Sequence, residues 1–173
     1  MGADRSLTNG AWLFVTAVVV LLVGAPLSAK FETTKITVTD VALGTSVDIT
    51  DSSVLKDFNV WSGPGTYLNG VEGTQGFIID WPAGVVDDRP SGLRRYDVAF
   101  YVRGRSSPEE EVVYVVSYER DESSGQGFVY LPGRSDERWG RNVRSIVRHG
   151  LEGHWFHATG AWQRAVERVL PVR

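Results

Sequence analysis

The sequence predicts a single α+β domain: a mainly antiparallel β-sheet of about six or seven strands with a C-terminal amphipathic helix, behind an N-terminal signal segment. Three observations carry this. Residues 96–133 read YDVAFYVRGRSSPEEEVVYVVSYERDESSGQGFVYLPG, three strand-like runs (96–103, 112–119, 127–131) with polar Gly- or Pro-bearing breaks between them. Trp162, Ala165, Val166 and Val169 recur at i, i+3, i+4 and i+7, one apolar stripe on a helix. Residues 11–23, AWLFVTAVVVLLV, form an apolar run near the start of the chain.

In that run the pattern is an h-region followed by Pro26, a helix breaker, and by Ala29, a small residue after which cleavage fits. Residues 1–29 are therefore expected to be a signal peptide or, if uncleaved, a signal anchor over residues 11–29. The domain is then residues 30–173, in an extracytoplasmic place, either secreted or in the cell envelope. No cysteine stands at the junction, so a lipoprotein anchor is excluded.

Next come Ile36 and Val38 among threonines, then Val47 and Ile49 among polar residues, with Asp40–Gly44 between as a turn. Two such runs predict a hairpin. Asp51 and Ser52 are N-cap candidates for a short helix through Phe58. Residues 59–76, NVWSGPGTYLNGVEGTQG, read as a long Gly-rich loop. Residues 77–81 read as a short strand stopped by Pro82, and a second, acidic loop follows over 83–92.

Within the central runs, Tyr96, Val98, Phe100 and Val102 share one face, which predicts burial on one side. The second run differs. Val112, Tyr114, Val116 and Tyr118 are assigned one face, Val113, Val115 and Ser117 the other. Both faces are apolar, so this strand is expected inside the sheet and covered on both sides. Pairing of the third run should stop at Pro132, which has no N–H to donate. Residues 133–142 read as a polar loop, 143–148 as a short alternating run, 149–154 as a turn and 155–158 as a strand. Thr159 is the expected cap of the last helix, over 161–170, whose stripe is expected to cover a face of the central strand.

The 173 residues include six Trp, six Tyr and seven Phe, which argues for a packed core. The absence of cysteine excludes disulfides, thiolate metal sites and thiol nucleophiles. Charge is divided: residues 30–88 hold three Lys or Arg and nine Asp or Glu, while residues 89–173 hold fourteen Arg and eleven acids. The basic excess is too small and too scattered for a nucleic-acid partner.

The order ITVTD, SVDITDSSVLKDF, YDVAFYV, YVVSYERD, GQGFVYLPGR and EGHWFHATGAW resembles an uncharacterised family of exported bacterial proteins of unknown function. The resemblance covers most of residues 31–165. It implies an envelope or secreted β-rich domain and carries over no catalytic residue.

Function is less legible than fold. The expected role is a non-enzymatic binding or interaction module for an envelope or extracellular ligand or protein, with the membrane involved only through an uncleaved N-terminal segment. Residues 133–157 gather three His, five Arg and two Trp. The binding candidates there are Arg134, Trp139, Arg141, His149, His154 and His157. Guanidinium groups suit carboxylate or phosphate, and an exposed Trp adds stacking area. Trp61 and Trp81 are further loop-edge tryptophans that either bind or fold back over the core.

The alternative is a small hydrolase or metal-dependent enzyme using the segment 149–157. If His149 and His154 flank a tight turn they face each other across paired strands, while His157 points to the opposite face of its strand, so a three-histidine zinc site does not form. No G-x-S-x-G frames a nucleophile, and the lone GxG at Gly104 lacks the context of a phosphate loop. No catalytic residue, metal ligand or cofactor is assigned.

Overall fold

The expected N-terminal hairpin is β1 (Thr33–Asp40) and β2 (Ser46–Ile49), with Ile36 opposite Ile49 and Val38 opposite Val47. These elements belong to a computed structural model that describes residues 33–68, 70–73, 75–103 and 109–170. The signal segment expected over residues 1–29 lies outside the described residues, as does Gly104 of the GxG. The short helix α1 (Ser52–Leu55) follows; Asp51 accepts the Ser53 N–H at 2.8 Å, as its cap position requires.

The Gly-rich stretch after it is not all loop. It folds a small ribbon, β3 (Tyr67–Leu68) paired with β4 (Val71–Glu72). The strand expected at 77–81 is also corrected. Ile79 makes only an isolated bridge to Ala158, and Trp81–Ala83 is a single 3₁₀ turn. Phe77, Ile78 and Ile79 are buried, so the apolar run marks core filling and not sheet pairing.

The meander is as expected: β5 (Arg94–Arg103), β6 (Glu110–Arg120) and β7 (Gly127–Tyr130) pair antiparallel in turn. After α2 (Trp139–Ser145), the strand β8 (Trp155–His157) adds to β7, and α3 (Gly160–Val169) ends the described chain. The main sheet is six-stranded in the order β2-β1-β5-β6-β7-β8. Among the described residues no helix is long and apolar enough to cross a membrane.

One face of the sheet makes the core. Ile36, Val38, Tyr96, Val98, Phe100, Tyr114, Val116 and Tyr118 are buried there with Phe58, Phe77 and the α3 residues Trp162, Ala165 and Val166. Thr159 caps α3 by accepting the Trp162 N–H at 3.2 Å. The Trp162 ring then meets Tyr118 edge-on at 5.9 Å and Phe58 at 5.3 Å, so α3 covers the central strand as its stripe predicts. Each such side chain contributes roughly 1.5–3 kcal/mol when fully buried. Val115 points the other way and is 7% exposed, which confirms that β6 is covered on both sides.

One facial assignment fails. The register slips between Phe100 and Tyr101, so that Phe100 faces Tyr114 while Tyr101 faces Val112. Val113 is the extra residue of a bulge, and Val112 leaves the face of Tyr114.

Within the segment read as a polar loop and an alternating run, Trp139–Ser145 is instead the helix α2. It is seven residues long, contains Gly140, and has no side-chain cap at its start. Local propensity does not hold such a helix; the sheet does. β7 reaches along β6 only to Ser117, leaving the next stretch of that edge bare. Asn142 fills it: its Oδ1 accepts the Val115 N–H at 2.8 Å and its Nδ2 donates to the Val115 carbonyl at 2.7 Å. Ser145 Oγ donates to the carbonyl of the bulge residue Val113 at 2.7 Å. Two side chains thus stand in for a missing strand and satisfy backbone groups that burial would otherwise orphan.

Candidate ligand-binding surface

The start of α2 is tied to the sheet by one arginine. Arg138 donates from Nε and Nη2 to the two oxygens of Asp136, at 2.8 and 2.6 Å. Its Nη1 donates to Asp97 Oδ1 on β5 at 2.8 Å and to Ser117 Oγ on β6 at 2.9 Å. Such a charge-assisted, bidentate arrangement fixes geometry as well as charge. The Arg138 guanidinium holds the Asp136 carboxyl below the usual carboxylate range. Its side chain is 14% exposed. A second guanidinium reaches the same hydroxyl: Arg95 Nη2 donates to Ser117 Oγ at 2.8 Å.

Beyond this tether the helix opens to solvent. Glu137, Arg138, Gly140, Arg141 and Arg144 line one open depression. Arg138, Arg141 and Arg144 recur every three residues, which places them along one side of α2. Arg141 and Arg144 are exposed. Arg134 stacks its guanidinium 5.9 Å from the centre of the half-buried Trp139 ring. The arginine ion pairs among the described residues use Arg89, Arg94, Arg103, Arg120 and Arg138, and none uses Arg95, Arg134, Arg141 or Arg144. Of the sequence candidates, then, Arg134 and Trp139 are brought into contact, and Arg141 lies in the α2 depression with Arg138 and Arg144.

The histidines are not brought together in that way. No strand precedes the turn, because 139–145 is helical, so His149 and His154 do not face each other across a pair as expected. His149 sits exposed in the left-handed region at φ 53°. The turn around it is closed by Glu152, whose carboxylate accepts the Arg148 N–H at 2.5 Å and the Gly150 N–H at 3.1 Å. His154 is exposed, and its carbonyl accepts the Leu131 N–H at 3.1 Å. His157 lies on β8 against the Phe128 ring at 5.4 Å, with Gln126 Nε2 3.1 Å from its Nδ1. Among the described residues no hydrogen bond, ion pair or ring contact joins these histidines to Arg134, Trp139 or Arg141. No group of three or more His, Asp or Glu among them is arranged to hold a metal ion.

The tryptophans divide too. Trp81 is 9% exposed and packs on Phe77 at 6.3 Å and Phe156 at 5.4 Å, a core residue and not a loop-edge contact. Trp61 is half-buried against the same core. Trp155 lies between the Tyr130 ring, at 5.1 Å, and the Arg89 guanidinium, at 3.9 Å. Arg89 also pairs with Glu119.

Sequence reading missed one organising residue altogether. Arg148 is 0% exposed. Its Nη2 donates to the Val60 carbonyl at 2.5 Å, and its Nη1 to the carbonyls of Ser62 and Pro64 at 2.6 and 2.9 Å. The guanidinium also lies 5.2 Å from Phe77, 5.1 Å from Trp81 and 5.7 Å from Tyr114, and burial lowers its pKa. The Gly-rich loop wraps this cation closely. A Cβ on Gly65 would lie 2.1 Å from the Val147 carbonyl oxygen, and one on Gly63 would lie 2.3 Å from Trp81 Nε1. Those glycines were the available signal, since Gly marks close backbone approach. Which arginine they approach was not readable.

Comparisons with protein-family models, with curated proteins and with solved structures found no match, so the surface is read from its own chemistry.

Proposed function

We propose that the chain is an exported envelope or secreted binding module, without catalytic activity of its own, that takes an anionic ligand on the α2 surface. One observation carries this reading. Arg141 and Arg144 stand exposed beside Arg138 in one depression, without carboxylate partners among the described residues, while Arg138 is locked to Asp136 and Asp97. A chain of net charge −3 that leaves adjacent guanidiniums uncompensated presents a local positive field to carboxylate or phosphate groups. Arg134, stacked on the half-buried Trp139, is a further exposed guanidinium near the start of α2, and Arg and Trp are enriched at binding hot spots.

Export is supported by the apolar run of residues 11–23, the break at Pro26 and the small residue Ala29. Fractionation of cells making the full chain with a C-terminal tag, with N-terminal sequencing of the product, tests it. A cytoplasmic product starting at Met1 or Gly2 defeats export, while an intact membrane-bound chain selects the anchor. Binding is tested by retention on carboxylate- and phosphate-bearing resins at low ionic strength, where surface charge acts furthest. The wild type should be retained and the double variant Arg141→Ala, Arg144→Ala should not; equal elution defeats the anionic-ligand reading.

A further inference from the structure

Gly140 is a residue that neither the backbone nor the packing of α2 requires. It is the second residue of a seven-residue helix, where alanine holds helical backbone better than glycine. Its φ is not left-handed, and a Cβ added to it would meet nothing within 4 Å. Gly63 and Gly65 differ in both respects, since they hold left-handed backbone close against Trp81 and Val147. Gly140 instead lines the open depression with Glu137, Arg138, Arg141 and Arg144. Its missing side chain leaves bare helix backbone among charged groups, where a bound molecule can approach closely.

Those charged groups are of both signs. Arg138 is occupied by Asp136, Asp97 and Ser117. Glu137, Arg141 and Arg144 take part in no ion pair and no side-chain hydrogen bond among the described residues. Glu137 stands four residues before Arg141, the spacing and order at which a helical acid–base pair ordinarily closes. Here it does not close. Glu137, Gly140, Arg141 and Arg144 follow the spacing i, i+3, i+4 and i+7, one stripe of a helical winding. Asn142 and Ser145 hold the side turned to the sheet. The depression therefore presents one free carboxylate and two free guanidiniums around a glycine floor. Along a helical path the guanidinium residues lie about 6 and 10 Å beyond Glu137.

Resting on the anionic-ligand reading above, we infer that the ligand is a zwitterion whose oxyanion is held by Arg141 and Arg144 and whose ammonium, several bonds away, is held by Glu137, with the spacer lying over Gly140. A ligand bearing oxyanions alone meets like charge at Glu137, and an added ammonium turns that repulsion into attraction. Gly140 and Glu137 are then the residues that set specificity, while Arg138 is a positioning residue that ties the helix to the sheet.

The test titrates 6-aminohexanoate, hexanoate and glycine at low ionic strength into the full-length wild type, into Glu137→Gln and Gly140→Ala, and into the double variant Arg141→Gln, Arg144→Gln. Wild type should bind 6-aminohexanoate about two- to fivefold more tightly than hexanoate, the gain of one exposed ion pair. Glycine, whose two charges are adjacent, should bind no better than hexanoate. Glu137→Gln should bind 6-aminohexanoate and hexanoate alike. Gly140→Ala should bind 6-aminohexanoate at least threefold more weakly while melting at or above the wild-type temperature, so that instability does not explain the loss. Equal binding of 6-aminohexanoate and hexanoate by the wild type, a preference that survives Glu137→Gln, or glycine bound as tightly as 6-aminohexanoate overturns the inference. Wild-type affinity in Gly140→Ala overturns it as well. Each of these leaves the anionic-ligand reading intact where the double variant loses hexanoate. Failure of the wild type to bind any probe, or hexanoate binding unchanged in the double variant, defeats that reading and the inference with it.

Discussion

Arg148 and Arg144 stand four residues apart in one short stretch and meet opposite fates. Arg144 ends α2 in solvent without a carboxylate partner among the described residues; Arg148 lies fully buried, with its guanidinium spent on the carbonyls of Val60, Ser62 and Pro64. The difference is one of acceptors. A guanidinium enters a protein interior only where fixed acceptors and ring faces replace its water. The Gly-rich loop provides both for Arg148, and nothing provides either for Arg144. The same residue type therefore serves as an internal brace in one region and as a displayed charge in the other.

The largest expected effect breaks the brace. Arg148→Met leaves one buried and two part-buried carbonyls without their donor. The loss should be about 3 kcal/mol or more, a fall in melting temperature of roughly 6–12 °C for a domain of this size. A variant melting with the wild type shows that the loop holds itself. Gly65→Ala attacks the same contact from the loop side. Its φ is 81° and the new Cβ would lie 2.1 Å from a backbone oxygen, so the chain must shift. A loss of about 2 kcal/mol is expected by chemical denaturation; an unchanged midpoint places the loop's freedom above its packing.

On the other side of the comparison, pH probes the tether of α2. Arg138 holds the Asp136 pKa below its ordinary value. The stability this contributes is present above the unfolded carboxylate value of about 4 and is lost as pH falls from there through the folded value. Asp136→Asn should therefore be less stable than wild type at neutral pH and converge with it under acid. A constant difference from neutral pH to about pH 2 removes Arg138 from the role of tether. The smallest effect belongs to the displayed charges. Arg141→Ala with Arg144→Ala should change stability by under about 0.5 kcal/mol. A drop in melting temperature above roughly 5 °C makes these arginines structural and ends their assignment to a binding surface.

The difference between the two regions also explains what could be read from the chain. Where neighbours in sequence make the structure, reading succeeded. Asp51 caps α1, Thr159 caps α3, and Ile36 and Val38 pair across a turn with Ile49 and Val47, all from signals within a few residues. Reading failed where distant partners decide. Residues 139–145 hold Gly140 and no cap, and only Val113 and Val115 on β6 make them a helix. Residues 77–79 look like a strand because they are apolar, yet they fill the core, and their backbone pairing is the isolated bridge of Ile79 to Ala158. Arg134 lies over the Trp139 ring and Arg141 stands exposed on α2, while His149, His154 and His157 fall on a turn, a strand edge and β8, placements that spacing in the sequence does not give.

By itself, then, the sequence determined the meander, the N-terminal hairpin and the last helix, because period-two alternation and end caps are local properties of the backbone and its side chains. Only the tertiary structure decided which arginine is brace and which is display. The carbonyls that hold Arg148 lie 84 to 88 residues away in the chain, and Glu119, which stands opposite Arg95 on the neighbouring strand, is taken by an arginine 30 residues before it. An arginine's role depends on which acceptors reach it, and that competition is settled only when the sheet has brought its distant parts together.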